Sequence, residues 1–381
     1  MPWKVKTVSD VRFALCHSVR TAGTSVAQAA RRFGVSRKTA HKWLKIFDRM
    51  AVQDAAVLAD RSRRPTHSPL RTGSAMEAHV LDLRDRFNWG PRKIHSDLLR
   101  QKLSPPSIRT VAAILRRHGR IRVPGPDADP LQRFERDRPN ELWQIDFKGA
   151  VEVNRQKLMP FTVLDDHSRY LLAFTPCTNV TMAAAWNVLW NVFGEVGLPD
   201  QILCDNAFNT PGTPRPAGIS WFDSRLVRLD IRPSHGRPYH PQTQGKVEAL
   251  HASAERELFQ FNARKDDPAH FESDCRAWRH LYNTRRPHEA LGDRPPVTRW
   301  MPSTRARPQS LPEVSYPPDA TTRRVSDAGD IAFRSYRILC GRGIARELVR
   351  IEERDREIAI FYCSKEIRTL SQDQLKKRIV L

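Results

Sequence analysis

Paired cysteines, zinc-ligand spacings and long apolar runs are all missing from this chain of 381 residues. Its six cysteines are scattered, with no Cys-x-x-Cys pair and no pair of histidines at zinc spacing beside them. We therefore expect buried thiols in a reducing compartment, which excludes a disulfide framework and a zinc finger. No apolar run approaches the ~20 residues needed to cross a bilayer, and the N-terminal residues have no signal segment. These absences predict a cytoplasmic protein that is neither secreted nor bound to a membrane.

Negative charge is scarce at the front of the chain. Residues 1–140 carry 12 acidic side chains against 29 Lys and Arg, a net charge of +17, whereas residues 141–260 carry 13 acidic and 11 basic side chains, a net charge of −2. A basic N-terminal region of this size attracts polyanions, and its Lys and Arg side chains release counterions from DNA when they reach the phosphates. It predicts a nucleic-acid partner, with a merely solubilising basic surface as the alternative. The length predicts two to four domains.

Residues 10–47 have the apolar spacing of three helices. Ser25 and Gln28 form a capping box for the second helix, Gly34 supplies a tight turn and Ser36 caps the third helix. This pattern predicts a helix-turn-helix unit whose third helix faces DNA. The basic side chains expected on its exposed side are Arg37, Lys38, His41 and Lys42. An ordinary three-helix bundle with a charged face is the alternative.

A second unit of similar design follows. An apolar stripe begins at Met76, Pro91 opens a short helix, Ser107 caps another and Gly119 ends it. The last of these helices carries Arg109, Arg116 and Arg117, so a second DNA-contacting helix is expected, with a weaker signal than the first.

A proline-rich stretch over residues 123–140 has no helical or strand period and predicts an extended linker. Beyond it, the pattern predicts three strands, a helix, a strand and a helix, which is an α/β layered order. A long helix follows, capped by Thr243, and then another helix. Short alternating runs in the last sixty or so residues suggest a small β-domain.

Three acids stand at distinct places in this predicted core. Asp146 lies on the first strand, Asp205 ends the fourth and Glu248 lies in the first turns of the long helix. If the first and fourth strands are neighbours, all three meet at one edge of the sheet. Each acid alone is more often a surface residue, but three converging carboxylates can hold the pair of divalent ions that phosphodiester cleavage uses.

The acids belong to longer motifs, which resemble those of one family. The motifs are LWQIDF at 142–147, CDN at 204–206, PYHPQTQGKVE at 238–248 and YNTRRPHEAL at 282–291, with WGPRKI at 89–94. They resemble bacterial insertion-sequence transposases with a retroviral-integrase-like catalytic core, and most of all the insertion sequence 481 family. The resemblance extends from the first helix-turn-helix unit almost to the C-terminus.

The resemblance implies a ribonuclease-H-like fold and dependence on two Mg²⁺ or Mn²⁺ ions. It implies hydrolysis at the ends of a mobile element, followed by attack of the freed 3′-hydroxyl on target DNA. Asp146, Asp205 and Glu248 match the family's three acidic positions, and Lys246 and His240 fall where basic groups contact DNA phosphates. The implied partners are double-stranded DNA, both terminal inverted repeats and target, and further copies of the chain in a dimer or larger assembly. The implied location is the bacterial cytoplasm, in association with the nucleoid.

We therefore predict a multidomain protein: all-α helix-turn-helix units, then an α/β ribonuclease-H-like integrase core with a mixed sheet and helices on both faces, then a small C-terminal β-domain. The expected boundaries are 1–60 for the first unit, 61–122 for the second, 123–140 for the linker, 141–305 for the core and 306–381 for the β-domain.

Two departures from the family pattern bear on activity. Ala207 stands where the family usually has glycine, so a backbone angle that suits glycine costs more here. The 42 residues between Asp205 and Glu248 exceed the spacing usual in such cores, and a proline-containing loop at 210–218 is expected to absorb the excess. Asp165 and Asp166 are interpreted as turn-capping residues. The rival functions are a transposase-derived repressor without catalysis and a structure-selective nuclease on the same fold.

Overall fold

The computed structural model describes residues 7–49, 54–60, 71–121, 135–205, 218–235, 245–261, 263–334 and 336–371. The chain divides into two compact units, residues 1–71 and residues 72–381. All six cysteines are free thiols, four of them buried. None of the helices in the described ranges is long and apolar enough to span a membrane.

The first unit consists of helices α1 (Val8–Arg20), α2 (Val26–Arg32) and α3 (Arg37–Phe47), followed by a 3₁₀ turn at Ala55–Leu58. The predicted capping box is present, because the Ser25 hydroxyl accepts a hydrogen bond from the Gln28 backbone N–H and the Gln28 side chain accepts one from the Ser25 N–H. Gly34 adopts a φ of 63°, the left-handed conformation that the tight turn needs. The helices pack around a small shared core of apolar residues that includes Leu15, Leu44 and Leu58.

Three further helices open the second unit: α4 (Ser74–Phe87), α5 (Pro91–Arg100) and α6 (Ile108–Arg117). Their own core is built around Trp89, Ile94 and Leu115, and Leu281 from much later in the chain packs against it. These helices lie in the same compact unit as the sheet that follows them. The boundaries expected at residues 122 and 140 stay predictions.

A six-stranded mixed sheet forms the centre of the second unit. Its strands are β1 (Trp143–Phe147), β2 (Val151–Val153), β3 (Gln156–Asp165), β4 (Leu171–Cys177), β5 (Gln201–Cys204) and β6 (Arg232–His235). Strands β1, β3 and β4 pair antiparallel in a meander, whereas β5 pairs parallel with both β1 and β6. The predicted first and fourth strands, β1 and β5, are neighbours as expected.

Helices cover both faces of this sheet, which confirms the predicted layering. Helices α7 (Met182–Val196) and α8 (Trp221–Arg228) pack with Trp143 and Ile202 in one core cluster. Helix α9 (Gly245–Ala254), its π-helical continuation (Glu255–Phe259) and α10 (Pro268–Thr284) pack with Leu164 and Phe174 in another. The apolar spacing of each helix is what turns one face inward.

The last part of the chain forms two small sheets. Strands β7 (Thr322–Arg324), β10 (Leu348–Arg354), β11 (Glu357–Tyr362) and β12 (Lys365–Ser371) make one, and β8 (Asp330–Phe333) and β9 (Tyr336–Leu339) make the other. Their core includes Ile219 and Val227, so the strands pack directly on α8 and the residues before it. At the contact, a Cβ on Gly341 would approach the Ile219 backbone to 2.5 Å, and only glycine fits there.

Candidate active site

Asp146 and Asp205 lie at the same edge of the sheet. Asp146 is in β1, and Asp205 directly follows β5. Because these strands are parallel neighbours, with Trp143 opposite Ile202, their carboxyl ends emerge side by side. Asp146 is partly buried, whereas Asp205 is exposed. The two acids therefore reach one edge from rigid elements, as the sequence predicts.

Glu248 comes from helix α9. Val247 and Leu250 are buried against the sheet and hold the helix across it. Glu248 stands in the first turn between them, and its side chain is exposed. The helix therefore buries its apolar side and leaves this carboxylate at the surface.

The electrostatics of Asp146 connect the three acids. Burial raises the pKa of Asp146 to about 6, a 2.8 Å hydrogen bond from the Phe147 backbone N–H opposes the rise, and the negative charges of Asp205 and Glu248 add to it. A carboxylate destabilised by two others gains from a bound cation. Within the described ranges, no group of three or more His, Cys, Asp or Glu side chains is arranged to hold a metal ion. Asp146 and Asp205 thus share one edge of the sheet, and the charge of Glu248 acts on Asp146, but the three carboxylates do not form a closed set of ligands.

Sequence reasoning missed His251 and Thr162, which lie beside Asp146. Nε2 of His251 is 2.8 Å from Oγ1 of Thr162, and Nδ1 is 3.9 Å from Oδ2 of Asp146. Burial, with a smaller contribution from Lys148, lowers the pKa of His251 to about 4, so the ring is neutral near pH 7. The available signal was spacing, because a residue three positions after Glu248 shares its side of a helix.

Lys246, expected to contact DNA, forms an ion pair within the protein. Its Nζ lies 2.5 Å from Oδ1 of Asp166, whose side chain is fully buried. Asp166 also accepts hydrogen bonds from Gln144 Nε2 at 2.7 Å and from the Arg136 backbone N–H at 2.9 Å. The pair anchors the start of α9, two residues before Glu248. A DNA contact by Lys246 stays a prediction, and it would require this lysine to exchange or share its partner.

The two acids of the β3–β4 turn have different roles. Asp165 caps the turn as predicted, since its Oδ1 accepts the Ser168 backbone N–H at 2.7 Å. Its Oδ2 accepts the Asn140 N–H at 2.8 Å. For Asp166 the turn-capping interpretation is wrong, because its carboxylate bonds to Lys246 and Gln144 and to the backbone before β1.

Six other basic residues that were predicted to contact DNA lie at the surface. The exposed ones are Arg37, Lys38, His41 and Lys42 on α3 and Arg109 and Arg116 on α6. Arg117 differs, because it forms an ion pair with the buried Glu77. His240, Ala207 and Thr243 lie outside the described residues, as does most of the predicted linker. The DNA contacts of this set stay predictions.

Helix α5 is tied to the element that carries Glu248. Lys93 places Nζ 3.3 Å from Glu257, which lies in the π-helical turn that continues α9. Nearby, the Asn88 side-chain amide donates to the Arg256 carbonyl at 2.8 Å. Asp97 of α5 is completely buried and pairs with Arg285 at 2.9 Å. The second group of helices therefore contacts the core through ion pairs whose carboxylates, Asp97 and Glu257, are buried.

The middle of the chain is similar to known proteins. Two models described as "Integrase core domain" match residues 136–241 and residues 229–296. A protein of the insertion element IS476 from Xanthomonas euvesicatoria is 23% identical over 72% of this chain and 78% of its own length. Residues 136–296 are therefore similar to integrase core domains, and the insertion-element protein resembles most of the chain.

Retroviral proteins match over a shorter stretch. The Gag-Pro-Pol polyprotein of Mason-Pfizer monkey virus is 35% identical over 30% of the chain, which corresponds to only 6% of the polyprotein. Among solved structures, the simian T-cell lymphotropic virus intasome bound to a PP2A regulatory subunit is 16% identical, with a TM-score of 0.39 over 77% of this chain and 96% of that chain. The HTLV-2 integrase catalytic core with magnesium is 14% identical, with a TM-score of 0.32 over 43% of this chain and 97% of that chain.

Proposed function

We propose that this chain is a transposase that binds the ends of a mobile DNA element, cleaves there and joins the freed ends to target DNA. The carrying observation is that Asp146 and Asp205 lie at the carboxyl ends of the parallel strand pair β1 and β5, in the part of the chain that matches an integrase core domain. The insertion-element relative supports the same class of protein. Membership of the insertion sequence 481 family rests on the sequence motifs alone.

Two Mg²⁺ or Mn²⁺ ions are the cofactor that suits these residues. Asp146, Asp205 and Glu248 offer only hard oxygen ligands, which Mg²⁺ prefers. Bound there, such ions would supply an activated oxygen nucleophile and charge compensation on the phosphate. The carboxylate of Asp146 is already oriented by the Phe147 backbone N–H. Placement on two strands and a packed helix suits a site that must keep its geometry.

The reaction would consist of two displacements at phosphorus. In the first, water attacks a phosphorus at the element end, the bond to the 3′ oxygen breaks and that oxygen takes a proton. In the second, the freed 3′-hydroxyl loses its proton as it attacks a target phosphorus, and the target's own 3′ oxygen leaves. One phosphodiester bond forms and one breaks in the second step, so no external energy source is needed.

Recognition of the ends is assigned to the front of the chain. Residues 1–140 carry the net charge of +17, and α3 and α6 expose basic side chains. Phosphate contacts by such residues position a protein on DNA, and base contacts specify the sequence. We assign helix-turn-helix roles to residues 1–60 and 61–122. Because two element ends must be paired, we propose a homodimer or larger assembly on DNA.

An in vitro strand-transfer assay of the full chain tests this function. The substrate is the DNA that flanks the gene, including any inverted repeats, with Mg²⁺ and a plasmid target. We expect cleavage at the repeat ends and covalent joining to the plasmid. Binding without cleavage would favour the repressor, and cleavage without joining would favour the nuclease. Either result would overturn the proposal.

A further inference from the structure

His251 lies where helix α9 crosses the strand pair β1 and β3. Asp146 and Thr162 are direct partners in that pair. His251 approaches both of them, with Nε2 2.8 Å from Oγ1 of Thr162 and Nδ1 3.9 Å from Oδ2 of Asp146. It also follows Glu248 by three residues on the same helix. One side chain therefore links the strand position of Asp146 to the helix position of Glu248.

The two ring nitrogens of His251 have different partners. A protonated imidazole carries an N–H on both nitrogens, so Nδ1–H would face Asp146 in that state, whereas a neutral ring carries only one N–H and accepts at its other nitrogen. The fully buried Thr162 hydroxyl can donate to Nε2, which leaves the ring hydrogen on Nδ1, facing Oδ2 of Asp146. The opposite tautomer would turn a nitrogen lone pair toward the carboxylate, which is repulsive. At 3.9 Å the Nδ1 contact is longer than a hydrogen bond, so its effect on the carboxylate is electrostatic.

The Asp146 carboxylate is consequently oriented from two sides. Oδ1 accepts the Phe147 backbone N–H at 2.8 Å, and Oδ2 faces His251. Groups that orient a metal-binding carboxylate from outside typically change metal affinity about 10- to 100-fold when removed.

We propose that His251 is a positioning residue: its Nδ1 side orients Oδ2 of Asp146, and its bond to Thr162 fixes the helix that carries Glu248, so that both acids face one cation. The proposal rests on the proposed function, because it takes these acids to bind a divalent cation.

The test measures Mn²⁺ binding to the full chain without DNA. The electron paramagnetic resonance signal of free Mn²⁺ reports how much of the ion stays unbound. His251→Ala removes both contacts, His251→Asn keeps a polar group near the Nδ1 position and His251→Gln keeps one near the Nε2 position. Thr162→Val removes the hydroxyl, and Thr162→Ser keeps it. The exposed His280, substituted by Asn, is the matched control. Asp146→Asn is the reference for loss of the site, and thermal melts check folding.

We expect His251→Ala to weaken Mn²⁺ binding about 10- to 100-fold. Thr162→Val should change affinity in the same direction, whereas Thr162→Ser and His280→Asn should resemble wild type. His251→Asn should recover more affinity than His251→Gln, a ranking that a purely structural role would not produce. If His251→Ala does not fold, the test depends on two comparisons: His251→Asn against His251→Gln, and Thr162→Ser against Thr162→Val.

Three results would overturn the proposal. If Asp146→Asn loses Mn²⁺ binding while the His251 and Thr162 variants keep wild-type affinity, His251 has no positioning role and the proposed function stands. If His251→Asn binds no better than His251→Gln, the orienting role of Nδ1 is wrong. If the wild-type chain binds no Mn²⁺, both this proposal and the metal-dependent function fall.

Discussion

Arg286 holds Glu257 with two nitrogens inside the core. Nε lies 2.8 Å from Oε2 and Nη2 lies 2.9 Å from Oε1, and the two side chains are 6% and 5% exposed. Arg286 follows α10, and Glu257 continues the helix that carries Glu248. Nζ of Lys93 in α5 also lies 3.3 Å from Glu257. This carboxylate therefore connects α5, the continuation of α9 and the segment that follows α10.

Glu257→Gln should therefore destabilise the second unit strongly. Removing one partner of a buried pair leaves an uncompensated charge, here on Arg286, which costs about 3–5 kcal/mol. The free energy of unfolding can be measured in urea by tryptophan fluorescence, since seven of the nine tryptophans lie after residue 71. Glu272→Gln is the control, because its 3.8 Å pair with Arg276 is exposed and should contribute below about 1 kcal/mol. Equal stability of the two variants would contradict the prediction.

His288 should make the stability depend on pH. Burial, followed by the positive charges of Arg286, Arg169 and Lys93, lowers its pKa to about 3. In the unfolded chain, this histidine takes up its proton near pH 6.5. The contribution of neutral His288 to the free energy of unfolding is therefore fully present above about pH 6.5, and it is lost as the pH falls toward 3. The free energy of unfolding should fall by about 2 kcal/mol near pH 5 through this residue.

The pH dependence can be tested by urea denaturation near pH 7.5 and near pH 5. His288→Gln should show a smaller loss of stability between the two conditions than wild type. The same change at the exposed His280 should leave the wild-type loss intact. An unchanged loss in His288→Gln would assign the pH dependence to other groups.

Asp146→Asn, Asp205→Asn and Glu248→Gln should each abolish cleavage and strand transfer. Each amide has the shape of the acid but lacks the charge needed to hold divalent ions. DNA binding, measured by electrophoretic shift, should stay near wild type because the predicted binding surface lies elsewhere. Glu195→Gln, at an exposed acid of α7, is the control. A variant with near wild-type turnover would remove its residue from the site.

Activity should require Mg²⁺ or Mn²⁺ and be suppressed by Ca²⁺. Ca²⁺ takes longer bonds and a looser geometry than an in-line displacement at phosphorus requires. Strand transfer after chelation, with each ion added back separately, measures the dependence. Full activity in the chelated reaction would refute the metal-dependent mechanism.

Arg37→Ala or Lys38→Ala in the full chain should weaken binding to the element ends. A base contact would relax preference at one position by about 1–3 kcal/mol, whereas a phosphate contact would weaken all sequences alike and reduce the salt dependence. Anisotropy titrations with repeat and scrambled duplexes separate these cases. Lys157→Ala, at an exposed lysine of the core, should leave the preference unchanged. A loss of preference in that variant alone would contradict the assignment to α3.

The sequence predicted the parts of this fold that repeat a local pattern. Apolar spacing located the helices, the strands β1, β4 and β5 and the second half of β3, and the neighbouring positions of β1 and β5 brought Asp146 and Asp205 to one edge. The capping residues Ser25, Ser36 and Ser107 also followed, because each acts on a backbone N–H three residues away.

Contacts between distant residues were not predictable in this way. Lys93 and Glu257 are 164 residues apart, and no periodicity connects them, so the packing of α5 against the core gave no local signal. The ion pair of Lys246 with Asp166 could not be predicted for the same reason, since a lysine near the three predicted catalytic acids suits a DNA contact equally well. His251 depends on both kinds of information, because its spacing from Glu248 is local but its bond to Thr162 crosses from a helix to a strand.

If α6 reads DNA as proposed, the contacts of α5 set a fixed distance between that helix and the proposed active site at Asp146. Helix α6 shares a core with α5, and α5 is pinned to the core through Asp97 and Lys93. A duplex read by α6 would therefore be cut at a set number of base pairs from the sequence that is read. Inserting about five base pairs between the two places would rotate the scissile phosphate by about half a helical turn. The phosphate would then face away from Asp146, even though the recognition sequence itself was intact.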